Sequence, residues 1–404
     1  MKIMLVNSVY NFGSTGRIVK DLKDVIQSQG AEGAIIYGRG NDSSDNDVFK
    51  IGTDLDFKLH VLYSRLTDKS GFFSSYYTRK IIERIKEYDP DLIHLHNIHG
   101  YYINIELLFN FIKEYRKPIV WTLHDCWSFT GHCAYYDAVN CQKWQEECKN
   151  CPQTHEYPKS FIDNSLNNFH TKKTLFTSIE QLYIVTPSEW LKQEVKKSFL
   201  KEYPCYVIPN GIDLKEFNSN YFSHENKNIF QPCKKLKILG VASVWDHRKG
   251  LNDFIKLSRL LDLTKYQITM VGVNKKQKAI LEECGIIAIE RTNSIEALAD
   301  LYQQADVFFN PTYQDNFPTT NLESLACGTP VLTYRTGGSP ESLTEKCGVV
   351  VDKGNLELVV SCLQSWESYQ FQANDCITQA RKFDKFLKFN EYYELYNDIL
   401  YGIK

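Results

Sequence analysis

No window of this 404-residue chain approaches the run of about 18 to 20 apolar residues that a membrane span requires, so no segment reads as crossing a bilayer. Neither sign of charge is in excess. The 47 basic and 49 acidic side chains leave a formal net charge of -2, which excludes a nucleic-acid footprint over the whole molecule, and no nucleic-acid partner is expected. Residue-level repeats, low-complexity tracts and long charge runs are also missing. The opening MKIMLVNSVYNFG carries one lysine and a short apolar run, without a long hydrophobic region or a small-residue cleavage site. It reads as a first β-strand and not as a secretion signal. A cytoplasmic protein with reduced cysteines is the resulting expectation. Eight of the twelve cysteines are scattered like small buried apolar residues, and only Cys133, Cys141, Cys148 and Cys151 cluster.

What is present is enough to fill two cores: 43% hydrophobic and 24% charged residues over a length that exceeds one ordinary domain. Short β-rich runs (2–9, 34–38, 91–97, 118–125) alternate with amphipathic stretches (15–30, 104–117). The alternation restarts at 235–243 and continues through 251–261, 266–272, 295–305, 306–311 and 331–334. Strand then helix, repeated, predicts a parallel sheet covered on both faces, so the chain is expected to be α/β with two Rossmann-like domains. The polar stretch from 207 to 235, punctuated by Pro209 and Gly211, places a hinge near 210–230. Ligands of such sheets sit beyond the carboxyl ends of the strands, which predicts a cleft between facing domains.

The sharpest segment for chemistry is PTYQDNFPTTNLESLACGTPVLTYRTGGSPES, residues 311–342. Asp315 and Glu323 stand seven residues apart, one before an expected helix and one a turn inside it. Both can face a ligand approaching the helix N-terminus, where free N–H groups and the dipole favour phosphate. The plain alternative is a strand-loop-helix connection with a capping acid.

This stretch resembles the acid-x7-acid signature of GT-B glycosyltransferases of family 4, followed by their ACGTPV and GGxPE elements. The likeness extends over nearly the whole chain and is closest to the colanic acid and exopolysaccharide branch. It implies a GT-B fold with an acceptor-side domain at 1–212, a nucleotide-sugar domain at 213–384, and a helix at 385–404 crossing back to the first domain. It gives Asp315 the donor sugar's hydroxyls and Glu323 the ribose of the nucleotide; the family usually has Glu at the first position. Thr319, Thr320 and Asn321 resemble the part that offers amides and hydroxyls to the diphosphate, and Asn210 joins the donor side.

In LGVASVWDHRKGL (239–251), Lys249 and Gly250 match the family's lysine-glycine pair, a cationic partner of the diphosphate. Ser243 stands where arginine is usual, and Arg248 is the expected source of the displaced charge, since guanidinium suits bidentate phosphate contacts. A solvated basic turn is the alternative. In NSVYNFGSTGRIV (7–19), Gly16 is expected to permit close backbone approach to donor or acceptor, although any tight strand-to-helix turn uses glycine. His124, at the end of the strand expected at 118–125, matches the TxHD element; the resemblance gives it the donor sugar and the oxocarbenium-like transition state, with Asp125 orienting it. In HLHNIHGYY (94–102), His96 and His99 resemble an acceptor-side loop. His94 and His96 share a strand face, a spacing that also suits a metal or a buried structural pair.

The cysteines at 133, 141, 148 and 151 are spaced x7, x6 and x2, and four such thiolates fit a closed tetrahedral zinc site. Free thiols and disulfides are the other readings, and His132 is a substitute ligand. The branch shows a similar insertion, here 126–152, and a closed site there leaves no open position for substrate. The cluster is therefore expected to clip a loop, with no cofactor required for catalysis.

The resemblance implies a retaining transfer of a hexosyl group from a nucleoside diphosphate sugar, UDP- and GDP-sugars first, to a hydroxyl of a growing capsular or exopolysaccharide saccharide that is lipid-linked. Basic stretches at 77–88 and 190–203 are candidates for peripheral contact with the inner face of the plasma membrane, or are solvated helix faces. Three rivals differ in class: a nucleotide-sugar epimerase or phosphorylase on the same fold, a nonenzymatic sugar-nucleotide binder, and a zinc-organised scaffold.

Overall fold

The computed structural model describes residues 1–219 and 235–402, and within them the chain divides into two compact units, Met1–Pro209 with Lys388–Lys404, and Asn210–Leu387. The first unit holds β1 (Lys2–Val9), β2 (Glu32–Arg39), β3 (Val48–Lys50), β4 (Leu92–Leu95), β5 (Ile119–Thr122), β6 (Leu182–Thr186) and β7 (Cys205–Val207). The second holds β8 (Leu236–Val241), β9 (Tyr266–Val271), β10 (Ile287–Ile289), β11 (Val307–Asn310), β12 (Val331–Tyr334) and β13 (Gly348–Val351). Strand order is 3-2-1-4-5-6-7 in one sheet and 10-9-8-11-12-13 in the other. Within both, every strand pair is parallel.

The strands read as continuous apolar runs because both faces are covered. Along β1, Met4 and Val6 enter one core with Ile36, Ile93 and Leu95, while Ile3 and Leu5 enter the opposite one with Ile35, Leu92 and Val120. The helix Gly13–Ser28 closes the second face by presenting Ile18, Val19, Leu22, Val25 and Ile26 at helical spacing. The second sheet repeats the scheme, with Ile238 and Phe309 on one face and Leu239 and Phe308 on the other.

The last helix, Lys385–Tyr401, completes the first unit's core with Phe389, Tyr392, Leu395 and Tyr396. The strand expected at 118–125 ends at Thr122, so His124 and Asp125 stand in the loop that follows it. Of the hinge expected at 210–230, the part from 220 onwards lies outside the described residues.

Candidate functional site

In each sheet the connections run one way from β1 or β8 and the other way from β4 or β11, so the strand order reverses between those two neighbours. Loops leaving the carboxyl ends of such a pair diverge to opposite faces and leave a crevice, the ordinary ligand position in open α/β sheets. In the second unit, the loop after β8 carries Arg248 and Lys249 and the loop after β11 carries Asp315.

The Lys249 ammonium is ion-paired to the Asp315 carboxylate, which also accepts a 3.0 Å hydrogen bond from the Asn316 backbone N–H. Arg248 lies against the same loop, its guanidinium donating to the Gln314 carbonyl at 3.1 Å. Gly250 fixes this approach. Its φ is +79°, and an added Cβ would fall 2.4 Å from the Pro311 carbonyl oxygen, so only glycine lets the two loops meet here. Two further braces hold the β11 loop: Asp253 accepts from the Tyr313 hydroxyl at 2.8 Å and from Tyr334 at 2.7 Å, and Asn210 donates to the Phe317 carbonyl at 3.0 Å. Asn210 therefore acts on the loop through the backbone of Phe317.

The helix Thr319–Ala326 begins where that loop ends. Thr319 and Thr320 are partly exposed in its first turn, where N–H groups lack intrahelical acceptors. Asn321 departs from its expected role. It is fully buried, accepting from Asn310 at 2.8 Å and donating to Ser339 and Ser342 hydroxyls at 3.0 Å, so its side chain ties the helix to the fold and is not offered to a diphosphate. Glu323, also buried, accepts from the Tyr302 hydroxyl at 3.1 Å. Two cationic side chains, the Asp315 carboxylate and a helix N-terminus thus gather at the second unit's switch point, with Glu323 buried a turn inside that helix, a setting suited to a diphosphate and a polyhydroxylated ligand.

In the first unit, the carboxyl ends of β4 and β5 gather the histidines. His94 is spent in the core: its ring nitrogens lie 2.6 Å from the Tyr396 hydroxyl and 2.8 Å from Thr122 Oγ1, which removes it from any metal. The His96 ring lies tilted over it with centres 4.1 Å apart and hydrogen-bonds His124, Nδ1 to Nε2, at 3.0 Å. Burial pushes His124 down to about 4 and His96 well below its ordinary value, so both rings are neutral and one must donate to the other. The expected pairing of Asp125 with His124 is not formed. Asp125 lies 2.9 Å from His99 Nε2 and accepts from the Trp127 N–H at 2.9 Å, while His99 Nδ1 meets the Tyr157 hydroxyl at 3.0 Å. It is His96, from the next strand, that orients His124. His99 and Asp125 form a buried buttress beneath the loop, and the sequence expectation of an acceptor contact at His99 gives way to that role.

Gly16 has a local explanation as well. A Cβ there would come 3.2 Å from Val9 Cγ2 and the Asn11 N–H nitrogen, so the glycine lets the first helix seat on the end of β1.

Cys133, Cys141, Cys148 and Cys151 line one cavity of about 20 Å³ together with His132 and Trp144. None is disulfide-bonded. The Gly131 N–H donates to Cys148 Sγ at 3.2 Å, and His132 is paired with the buried Asp68. Among the described residues, no three His, Cys, Asp or Glu side chains form a group that holds a metal ion. Sequence reading missed Lys172, a buried lysine that donates to the carbonyls of Trp127 at 2.8 Å and Thr130 at 3.1 Å. It also missed Tyr302, Asp253 and Asp68. Each reaches its partner from a distant segment, and no local spacing announces any of them.

Comparison with known proteins accords with this geometry. The family model described as Glycosyltransferase Family 4 matches residues 15–216, half of the chain, and that described as Glycosyl transferases group 1 matches residues 223–383. WcaC of Escherichia coli K12, assigned to colanic acid biosynthesis as a glycosyl transferase, is 24% identical over 370 residues, covering 87% of this chain and 88% of its own. A Campylobacter jejuni enzyme named N,N'-diacetylbacillosaminyl-diphospho-undecaprenol alpha-1,3-N-acetylgalactosaminyltransferase is 26% identical over 255 residues, covering 60% of this chain and 65% of its own. Among solved structures, Anabaena HepE in complex with UDP-glucose superposes with a TM-score of 0.64 at 14% identity, covering 98% of this chain and 100% of that one. The two parallel sheets with their helices are thus those of the GT-B fold.

Proposed function

The chain belongs to glycosyltransferase family 4, and on that premise we propose that it is a retaining enzyme moving a hexosyl group from a nucleoside diphosphate sugar to a hydroxyl of a growing, lipid-linked exopolysaccharide saccharide. The observation that carries the donor side is the convergence of Lys249, Arg248 and Asp315 on the second sheet's switch point, with Glu323 in the adjoining helix. UDP-glucose in the HepE structure supports a UDP-sugar. The polyprenol in the Campylobacter enzyme's name and the polysaccharide assignment of WcaC support the acceptor.

In this reading the donor's diphosphate displaces Asp315 from Lys249 and engages Arg248 and the first-turn amides at Thr319 and Thr320. Asp315, released, accepts from hydroxyls of the sugar, and Glu323 from those of the ribose. The bond between the anomeric carbon and the diphosphate oxygen breaks, and the acceptor oxygen bonds the same carbon on the same face. The acceptor's proton passes to the leaving phosphate oxygen. Lys249 and Arg248 stabilise the charge that grows there, the point at which preorganised electrostatics contributes most. The neutral His124, held by His96, offers a lone pair or its backbone carbonyl to positive charge developing on the sugar. None of these steps draws on a metal.

A structural zinc in the cysteine cavity is a separate proposal. Four thiols on one cavity and the Gly131 N–H aimed at Cys148 support it; the thiolates would have to close to about 2.3 Å from the ion. Elemental analysis of purified chain tests it, with one zinc per chain expected and lost in Cys148→Ser.

The functional reading is tested by nucleotide release from UDP-, GDP-, ADP- and dTDP-sugars, with and without an extract of lipid-linked saccharides. Release from one donor, stimulated by extract and lost in Lys249→Ala and Glu323→Ala, supports it. Binding without release under every condition refutes it.

A further inference from the structure

The helix Asp54–Thr67 is set against the first unit by a face on which only His60 and Ser64 are buried. On the other face stand Leu55, Leu59, Leu62 and Leu66, exposed by 67%, 45%, 52% and 55%. Their spacing of four, three and four residues aligns them in one stripe along the helix. At the helix's C-terminal end the Phe161 N–H donates to the Arg65 carbonyl at 2.8 Å, which brings the segment of Phe161 and Ile162, 76% and 50% exposed, up to the last turn. Four leucines in one stripe, with two more exposed apolar residues at its C-terminal end, are more than scattered surface residues, and apolar patches of this kind mark an interaction surface.

Charge identifies the partner. Lys58 and Arg65 flank the leucines on one side, and the exposed Lys69 and Lys159 stand by the C-terminal half of the stripe. Of the nearby acids, Asp54 is exposed in the helix's first turn beside Leu55, at the opposite end from Arg65 and Lys69, while Asp56 accepts from Ser74 at 2.6 Å, Asp68 is buried against His132, and Asp163 accepts from the backbone of Cys151 and Ser165. A second copy of the chain related by a two-fold would set these cations against themselves. An anionic surface with an apolar interior meets both features.

We propose that this leucine stripe, with Phe161 and Ile162, is a docking surface for an anionic lipid bilayer. The basic stretches singled out in the sequence are built otherwise. Ile81 and Ile85 of the helix Ser75–Tyr88 and Leu191 and Val195 of the helix Glu189–Lys197 face the core, leaving charged side chains outside.

The test is co-sedimentation of the full chain with vesicles of phosphatidylcholine alone or mixed in equal parts with phosphatidylglycerol. Binding is expected only to the mixed vesicles, weakening as salt rises. Leu59→Gln with Leu62→Gln should lower the partition coefficient by on the order of a hundredfold, from the apolar area withdrawn. Lys58→Glu with Arg65→Glu should abolish the preference for phosphatidylglycerol. These side chains point to solvent, and circular dichroism and donor-dependent nucleotide release, unchanged in both variants, separate lost docking from lost folding or chemistry. Wild-type chain that ignores the mixed vesicles, binds them equally after the leucine changes, or forms a dimer that those changes dissolve overturns the proposal.

Discussion

Lys172 carries the most quantitative expectation. Its ammonium is buried beneath the loop after β5, 3.4 Å from the centre of the Trp127 ring and bonded to two carbonyls. Burial pushes it from the ordinary 10.5 down to about 7, against the opposing pull of Cys148, Cys133, Asp68 and Asp125. Between those two values the unfolded chain holds a proton that the folded chain has released, so stability rises with pH across the window. The slope is about 1.4 kcal/mol per pH unit, and the full effect is on the order of 5 kcal/mol. Below the folded value both states are protonated and the slope from this group vanishes. Lys172→Met removes the titration and leaves two carbonyls without their donor, a loss of about 1 to 3 kcal/mol that does not vary with pH. Urea unfolding of the first unit, followed at several pH values for both proteins, isolates the difference. From about pH 7.5 to 9.5 the wild type should gain on the order of 2 to 3 kcal/mol on the variant. Parallel stability curves over that range would show that Lys172 titrates normally and that the burial argument fails.

Gly250→Ala should cost about 2 kcal/mol or more in thermal unfolding of the second unit, since the new Cβ meets the Pro311 carbonyl at positive φ, and donor turnover should fall with it. Lys249→Ala should lower kcat by on the order of a hundredfold or more while leaving the fold intact, because its charge acts on the leaving group; an effect confined to KM would assign it to ground-state binding. His96→Ala should reduce kcat through His124 alone, and His96→Asn, which can still hydrogen-bond, should restore part of it. Asp253→Ala, which frees Tyr313 and Tyr334, should raise KM for the donor by loosening the β11 loop.

Much of this architecture is legible in local sequence because the relevant signals are local. The apolar run of β1, the 3.6-residue pattern of the first helix and their repetition after residue 235 announce two parallel sheets without reference to distant residues. Lys249–Gly250 and Asp315 are likewise read from short segments, and the fold brings them together. The misreadings arise where a polar side chain's partner comes from elsewhere in the chain. Asn321 looks available beside two threonines, yet Asn310, Ser339 and Ser342 consume it. Asp125 adjoins His124 in sequence, but both stand in the irregular loop after Thr122, where no strand or helix period relates neighbouring side chains, and Asp125 turns to His99. The exposed leucines of Asp54–Thr67 carry a helical pattern that ordinarily signals burial. Only accessibility distinguishes a face that found a partner within the fold from one that did not.

The return of the chain from Leu387 into the first unit has a consequence for biosynthesis. Tyr396 bonds His94, and Tyr392 accepts from the Thr122 hydroxyl at 3.2 Å, so the layer beneath the His96–His124 pair is assembled from residues translated after the entire second unit. A ribosome that has finished residue 209 has produced a sheet lacking one of its covers. Until the final helix emerges, the nascent first unit exposes the apolar patch destined for Phe389 and Leu395. The histidine site should therefore mature last, and stalling late in translation should yield chains whose second unit is folded and whose first unit remains open to proteases and chaperones.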